Sequence, residues 1–166
     1  MDFLERWPKT SVAVTAAALI LAVVSLANYF IRGNQRPKGD LWFYDIKARR
    51  LFPASDLGVP PIDSPSGPGT GVRAQVFSCG ECTEKERFIA YLETLTPQGK
   101  ELVEAQVKAN GNRTGIGFAL EKQPYAVLVR LVDDETWYPQ ASAEGQALMQ
   151  AGRLRGGCQH PRPCVP

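Results

Sequence analysis

No charged residue interrupts the chain between Lys9 and Arg32. The stretch between them, TSVAVTAAALILAVVSLANYFI at residues 10–31, would make about 33 Å of helix at ~1.5 Å per residue, enough to cross a hydrocarbon core of ~30 Å. Trp7, Tyr29 and Phe30 lie where interfacial aromatics belong. Arg6, Lys9, Arg32 and Arg36 can reach lipid headgroups from its two ends. The run predicts a single-pass transmembrane helix, and with it a cell-membrane location and the lipid bilayer as a partner. The rival reading is a cleaved signal peptide ending at Ser25-Leu26-Ala27. The apolar stretch is longer than the ~7–15 residues usual for such a peptide. Sidedness stays open. More Lys and Arg follow the run than precede it, which favours a cytoplasmic domain, yet a short basic N-terminal tail also fits an anchor whose domain faces outward.

The chain has 166 residues, so about 130 remain after the tail and the apolar run, the size of one small domain. The organisation expected is a tail at 1–9, the span at 10–31, a juxtamembrane spacer at 32–40 and a domain at 41–166. Lys and Arg number 19 against 17 Asp and Glu. A net charge of +2 without a basic cluster argues against a nucleic-acid partner.

Within the domain, Leu41-Trp42-Phe43-Tyr44-Asp45-Ile46 reads as a strand, with Leu51-Phe52 as its hairpin partner, ended by Pro53. Residues 53–71 hold five prolines and four glycines and read as an extended loop. Val72 to Phe77 alternates apolar and polar residues, as a half-buried strand does. Thr83 and Glu86 form a capping box before Phe88, Ile89, Leu92 and Leu95, which predicts a helix from 83 to about 95. Thr96-Pro97 starts a second helix that Asn110-Gly111 ends. Residues 111–123 read as loop admitting a short strand. Tyr125 to Val132 is a buried strand with Trp137-Tyr138 as its partner, and Ser142 caps a last helix through Leu148 and Met149. The terminal GRLRGGCQHPRPCVP has too much Gly and Pro for a regular element. The expected fold is α+β, one N-terminal transmembrane helix followed by a small mixed-sheet domain covered by two or three helices.

The chemistry of the chain turns on four cysteines, Cys79, Cys82, Cys158 and Cys164. Three arrangements fit them. The four thiolates could hold a structural zinc ion, with His160 as a substitute ligand. They could form disulfides in an oxidising compartment, within or between the two close pairs. Finally, a strand running into Cys79-x-x-Cys82 resembles the thioredoxin active site, with Pro124 before the strand at 125. That resemblance implies a thiol-disulfide oxidoreductase using Cys79 and Cys82. The chain departs from that pattern in having no Trp before Cys79 and no strand-helix-strand opening. Against all three stands the inert reading of small buried cysteines.

His160 is the single histidine and lies among prolines, so a Ser-His-Asp or Cys-His set would depend on a solvated terminal residue. No P-loop or dinucleotide fingerprint is present. The leading reading is therefore non-enzymatic: a membrane-anchored binding or scaffold module with structural cysteines. Its partner would be another envelope or membrane protein, held through aromatic residues such as Trp42 or Tyr44.

Three segments carry a resemblance: Leu41 to Asp45; Val72 to Cys82 together with Arg87 to Glu93; and Trp137-Tyr138-Pro139 with Ser142, Glu144 and Gly145. They are similar to segments in a group of uncharacterised bacterial single-pass membrane proteins. The resemblance implies an anchored architecture and no particular activity.

Overall fold

The computed structural model describes residues 40–111 and 123–166, together with 120, 121 and the isolated positions 19, 20, 22, 23 and 25. The chain divides into two compact units, Met1–Lys38 and Gly39–Pro166. In the second, the elements run β1 (Asp40–Asp45), β2 (Arg50–Ser55), β3 (Ile62–Ser64), β4 (Gly67–Ser78), β5 (Arg87–Leu95), α1 (Pro97–Asn110), β6 (Val127–Arg130), β7 (Tyr138–Pro139), α2 (Ala143–Leu154) and β8 (Arg162–Pro163).

One eight-stranded sheet organises the unit, in the order β2-β1-β4-β5-β6-β7, with β3 and β8 also on β4. Every pairing is antiparallel. β4 is central because it is long, at 12 residues. Gly71 pairs with both Asp45 and Ile62, Arg73 with both Phe43 and Glu93, and Phe77 with both Phe88 and Pro163. A strand has two edges, so one edge of β4 carries β3 then β5 and the other β1 then β8.

The β1–β2 hairpin turns at Ile46 to Arg49, where Arg49 takes a left-handed conformation at φ 54°. Asp45 governs this corner. Its carboxylate is fully buried and accepts from the amides of Lys47 (3.0 Å), Ala48 (2.9 Å) and Ser66 (3.1 Å) and from the Ser64 hydroxyl (2.7 Å). One side chain thus ties the β1–β2 turn to the β3–β4 turn. Burial pushes the Asp45 carboxyl up, but the hydrogen bonds from Ala48, Ser64, Ser66 and Lys47 outweigh it and hold the group well below the usual carboxylate range.

Alternation along the strands sends side chains to two apolar layers. Tyr44, Val72, Ala74, Val76 and Leu92 share one with Cys164, edged by Trp42, Ile89 and Trp137. Ala90, Tyr91 and Val129 share the other with Met149 of α2, edged by Phe77, Phe88 and Leu148. A third cluster joins Val103 of α1 to Val59, with Leu95 and Val107 against it. Thr96 caps α1 by accepting from the Gly99 amide at 3.2 Å, and Gly111, at φ 63°, closes it. Ser142 caps α2, accepting from the Gly145 amide at 3.0 Å and donating to the Pro139 carbonyl at 2.9 Å.

Several expectations are corrected. Among the described residues the domain is an antiparallel sheet with two helices longer than a turn, not a mixed sheet under two or three. Residues 87–95 form a strand in place of the expected helix, and the capping box at Thr83 survives only as a turn in which the Arg87 amide donates to the Thr83 carbonyl at 3.0 Å. The cause is a one-residue bulge. Gln75 pairs with Tyr91 but Val76 with Ile89, leaving Ala90 extra. The bulge puts Ile89 and Leu92 on one face and Phe88 and Tyr91 on the other, a three-residue spacing that imitates a helical stripe. The expected loop at 53–71 contributes the end of β2, all of β3 and the start of β4. Pro53 is tolerated because β2 is an edge strand, paired only to β1.

The expected transmembrane helix finds no support: among the described residues no helix is long and apolar enough to cross a membrane. Most of the run at 10–31 lies outside the described residues. Leu19, Ile20, Ala22, Val23 and Ser25 are helical and exposed.

Candidate functional site

The four cysteines form two disulfides that cross from the end of β4 to the C-terminal segment, Cys79–Cys158 and Cys82–Cys164, with Cα–Cα separations of 5.8 and 5.6 Å. Local chemistry presents them. Ser78, buried at the end of β4, donates its hydroxyl to the Glu81 carbonyl at 2.7 Å and accepts from the Gly80 amide at 3.1 Å, closing the C-G-E-C turn. On the partner side the chain leaves α2 through Gly156-Gly157. A Cβ at 156 would lie 2.2 Å from the Phe88 ring and 2.9 Å from the Cys79 sulfur, and Gly157 has φ +75°. Only glycine fits both demands, a close approach and a left-handed turn.

These bridges replace the expected zinc centre. Tetrahedral zinc needs thiolates, and all four sulfurs are spent on one another. Among the described residues no group of three or more His, Cys, Asp or Glu is placed to hold a metal ion. His160 is exposed and contributes to no such cluster. Cys79 and Cys82 are not joined to each other, so the C-x-x-C segment is not a dithiol couple that cycles within itself. Two disulfides point to an oxidising, extracytoplasmic setting.

The bridges also build a groove. They fix the C-terminal segment, in which Arg162–Pro163 pairs with Phe77 and Ser78 of β4 and the Cys164 amide donates to the Val76 carbonyl at 2.8 Å. Between this segment and α2 lies a groove of about 730 Å³, within the ~300–1,000 Å³ typical of binding clefts. Phe77 and Met149 supply its apolar surface. Gln146, Gln150, Arg153 and Leu154 line it from α2, and Gln159, His160 and Pro161 from the bridged segment. The Arg153 guanidinium stands 5.9 Å from the Phe77 ring and donates a long hydrogen bond of 3.5 Å to the Tyr91 hydroxyl. Among the described residues the lining holds no carboxylate.

Trp42 and Tyr44, the aromatics expected to meet a partner, are placed otherwise. Tyr44 is 5 % exposed and belongs to the core. Trp42 is half-buried, with the Arg87 guanidinium 4.5 Å above its ring. Alternation of β1 turns both inward, so neither is available as a docking aromatic. The residues that sequence reasoning missed are Gln146, Gln150 and Arg153. Their i, i+4, i+7 spacing marks one stripe of α2, but the facing wall exists only through the disulfide pairing. Comparison with protein-family models, with curated proteins and with solved structures gives no match.

Proposed function

We propose that this chain is a non-enzymatic binding module of an oxidising extracytoplasmic compartment, and that the groove between α2 and the disulfide-bound C-terminal segment receives a polypeptide segment of another envelope protein. The supporting observation is the pair of bridges. They immobilise residues 158–164 against β4, so the groove wall is preorganised and little ordering cost falls on binding. An apolar floor flanked by amides and one cation has the composition of a recognition site. The uncharged run at 10–31 supports delivery of the domain to a membrane and export across it.

The test is site-specific photo-crosslinking of the full-length chain in its own cells. A photoreactive residue at Gln150 gives a discrete adduct with a second polypeptide, while the same residue at exposed Glu101 of α1 gives none. Equal labelling from both positions, or none from Gln150, would sink the proposal. Thiol-blocking of the same cells places the domain: no cysteine reacts before reduction if the compartment is oxidising.

A further inference from the structure

The groove has chemistry specific enough to name its ligand class. Gln159 and His160 make no hydrogen bond to any described residue through side chain or backbone, and both line the groove. Across from them Gln150 is exposed on α2, with its side-chain amide equally unspent. Arg153 has no carboxylate within ion-pairing distance among the described residues. Its guanidinium has five N–H donors, and the one hydrogen bond it makes is long. The groove therefore presents a permanent cation, unused donors from both walls and an apolar floor of Phe77 and Met149, with no acid among the described lining residues to balance them.

We infer that the groove recognises an extended, acidic peptide segment, with an Asp or Glu side chain on Arg153, a neighbouring apolar side chain on Phe77 and Met149, and main-chain groups paired to Gln159, His160 and Gln150. This rests on the binding-module reading above and deepens it. An extended occupant fits because its own unpaired N–H and C=O groups can meet the backbone groups of Gln159 and His160, which make no hydrogen bond to any described residue. An acidic side chain fits because a carboxylate can take two parallel bonds from a guanidinium, and no carboxylate of the described residues competes for Arg153. A basic peptide would meet only Arg153 and the unspent donors.

The test uses arrayed random heptapeptides probed with the oxidised full-length protein, followed by titration of the strongest binder. Expected is enrichment of Asp or Glu beside an apolar residue. Gln150→Glu, an exposed change that leaves the core untouched, should weaken the chosen peptide roughly fivefold or more by like-charge repulsion, an effect that added salt reduces. Arg153→Gln should weaken it about tenfold while Arg153→Lys retains part of the affinity. Replacement of the peptide's acid by its amide should weaken wild type but leave Arg153→Gln unchanged. Enrichment without an acid, or binding indifferent to Gln150→Glu, overturns the inference. A crosslink from Gln150 in cells alongside such a result leaves the binding-module reading standing, whereas its absence removes both.

Discussion

Gly152 of α2 stands against the carbonyl of Ala90, the extra residue of the β5 bulge, so closely that a Cβ at 152 would lie 2.3 Å from the Ala90 oxygen. Helix and bulge fit because this one position lacks a side chain. Gly152→Ala gains helix propensity of about 1 kcal/mol but must push α2 off the sheet, and overpacking costs about 1–3 kcal/mol or more. Because the clash is with a backbone carbonyl that cannot swing aside, the cost lies at the upper end, and the expected result is a net loss of about 1–2 kcal/mol in denaturant unfolding. An unchanged or raised midpoint would show that the contact is not tight.

The two disulfides should be strongly non-additive. Each closes a loop of about 80 residues, worth about 4.5 kcal/mol of unfolded-state entropy alone. Once either is formed, the other closes only a ring of about 9 residues, worth about 2.5 kcal/mol. Replacing Cys79 and Cys158 by Ala, or Cys82 and Cys164, should therefore cost roughly 2.5 kcal/mol, and replacing all four about 7. Equilibrium unfolding of the three variants measures this, and simple additivity would contradict it.

Asp45 predicts a defined acid response. Its folded-state pKa is depressed from 3.8, so its contribution is complete above about pH 5 and is lost as pH falls through 3.8 toward the folded value. Asp45→Asn, uncharged at every pH, should be destabilised most at neutral pH, with the gap to wild type narrowing below about pH 4. Paired unfolding curves at pH 7 and pH 3 check the sign. A gap that widens in acid would refute the role assigned to the carboxylate.

The cysteine state is directly measurable. The purified, unreduced chain should react with no thiol reagent even when unfolded, and its non-reduced digest should contain linked peptides joining 79 to 158 and 82 to 164. A strong chelator should leave the unfolding midpoint unchanged. Linkage of 79 to 82, or stoichiometric zinc, would overturn the pairing.

Local signals in the sequence were legible where local physics decides. Thr96-Pro97 and Ser142 start helices at α1 and α2 because a cap needs only its own turn. Leu41 to Phe52 reads as a hairpin from its aromatic and apolar content. Residues 88–95 do not, since a bulge set by β4 shifts their periodicity toward that of a helix. The segment 53–71 misleads because prolines and glycines can sit at edges and turns of a sheet as well as in loops. The groove is less legible still. Its helical wall is visible in the spacing of Gln146, Gln150 and Arg153, but four cysteines allow three pairings, and no local signal selects the crossed one that sets residues 159–161 opposite them.

That crossed pairing joins segments of unequal length. Two residues separate the cysteines after β4, and five separate those of the tail, while both bridges hold their ends at nearly equal Cα distances. The surplus chain must bow outward, and part of the bow is the stretch from Gln159 to Pro161 that forms the groove wall. Groove width is thus adjustable by tail length: one residue added or removed between Cys158 and Arg162, ahead of the pairing with β4, would re-gauge the cleft while leaving β4 and α2 as they are.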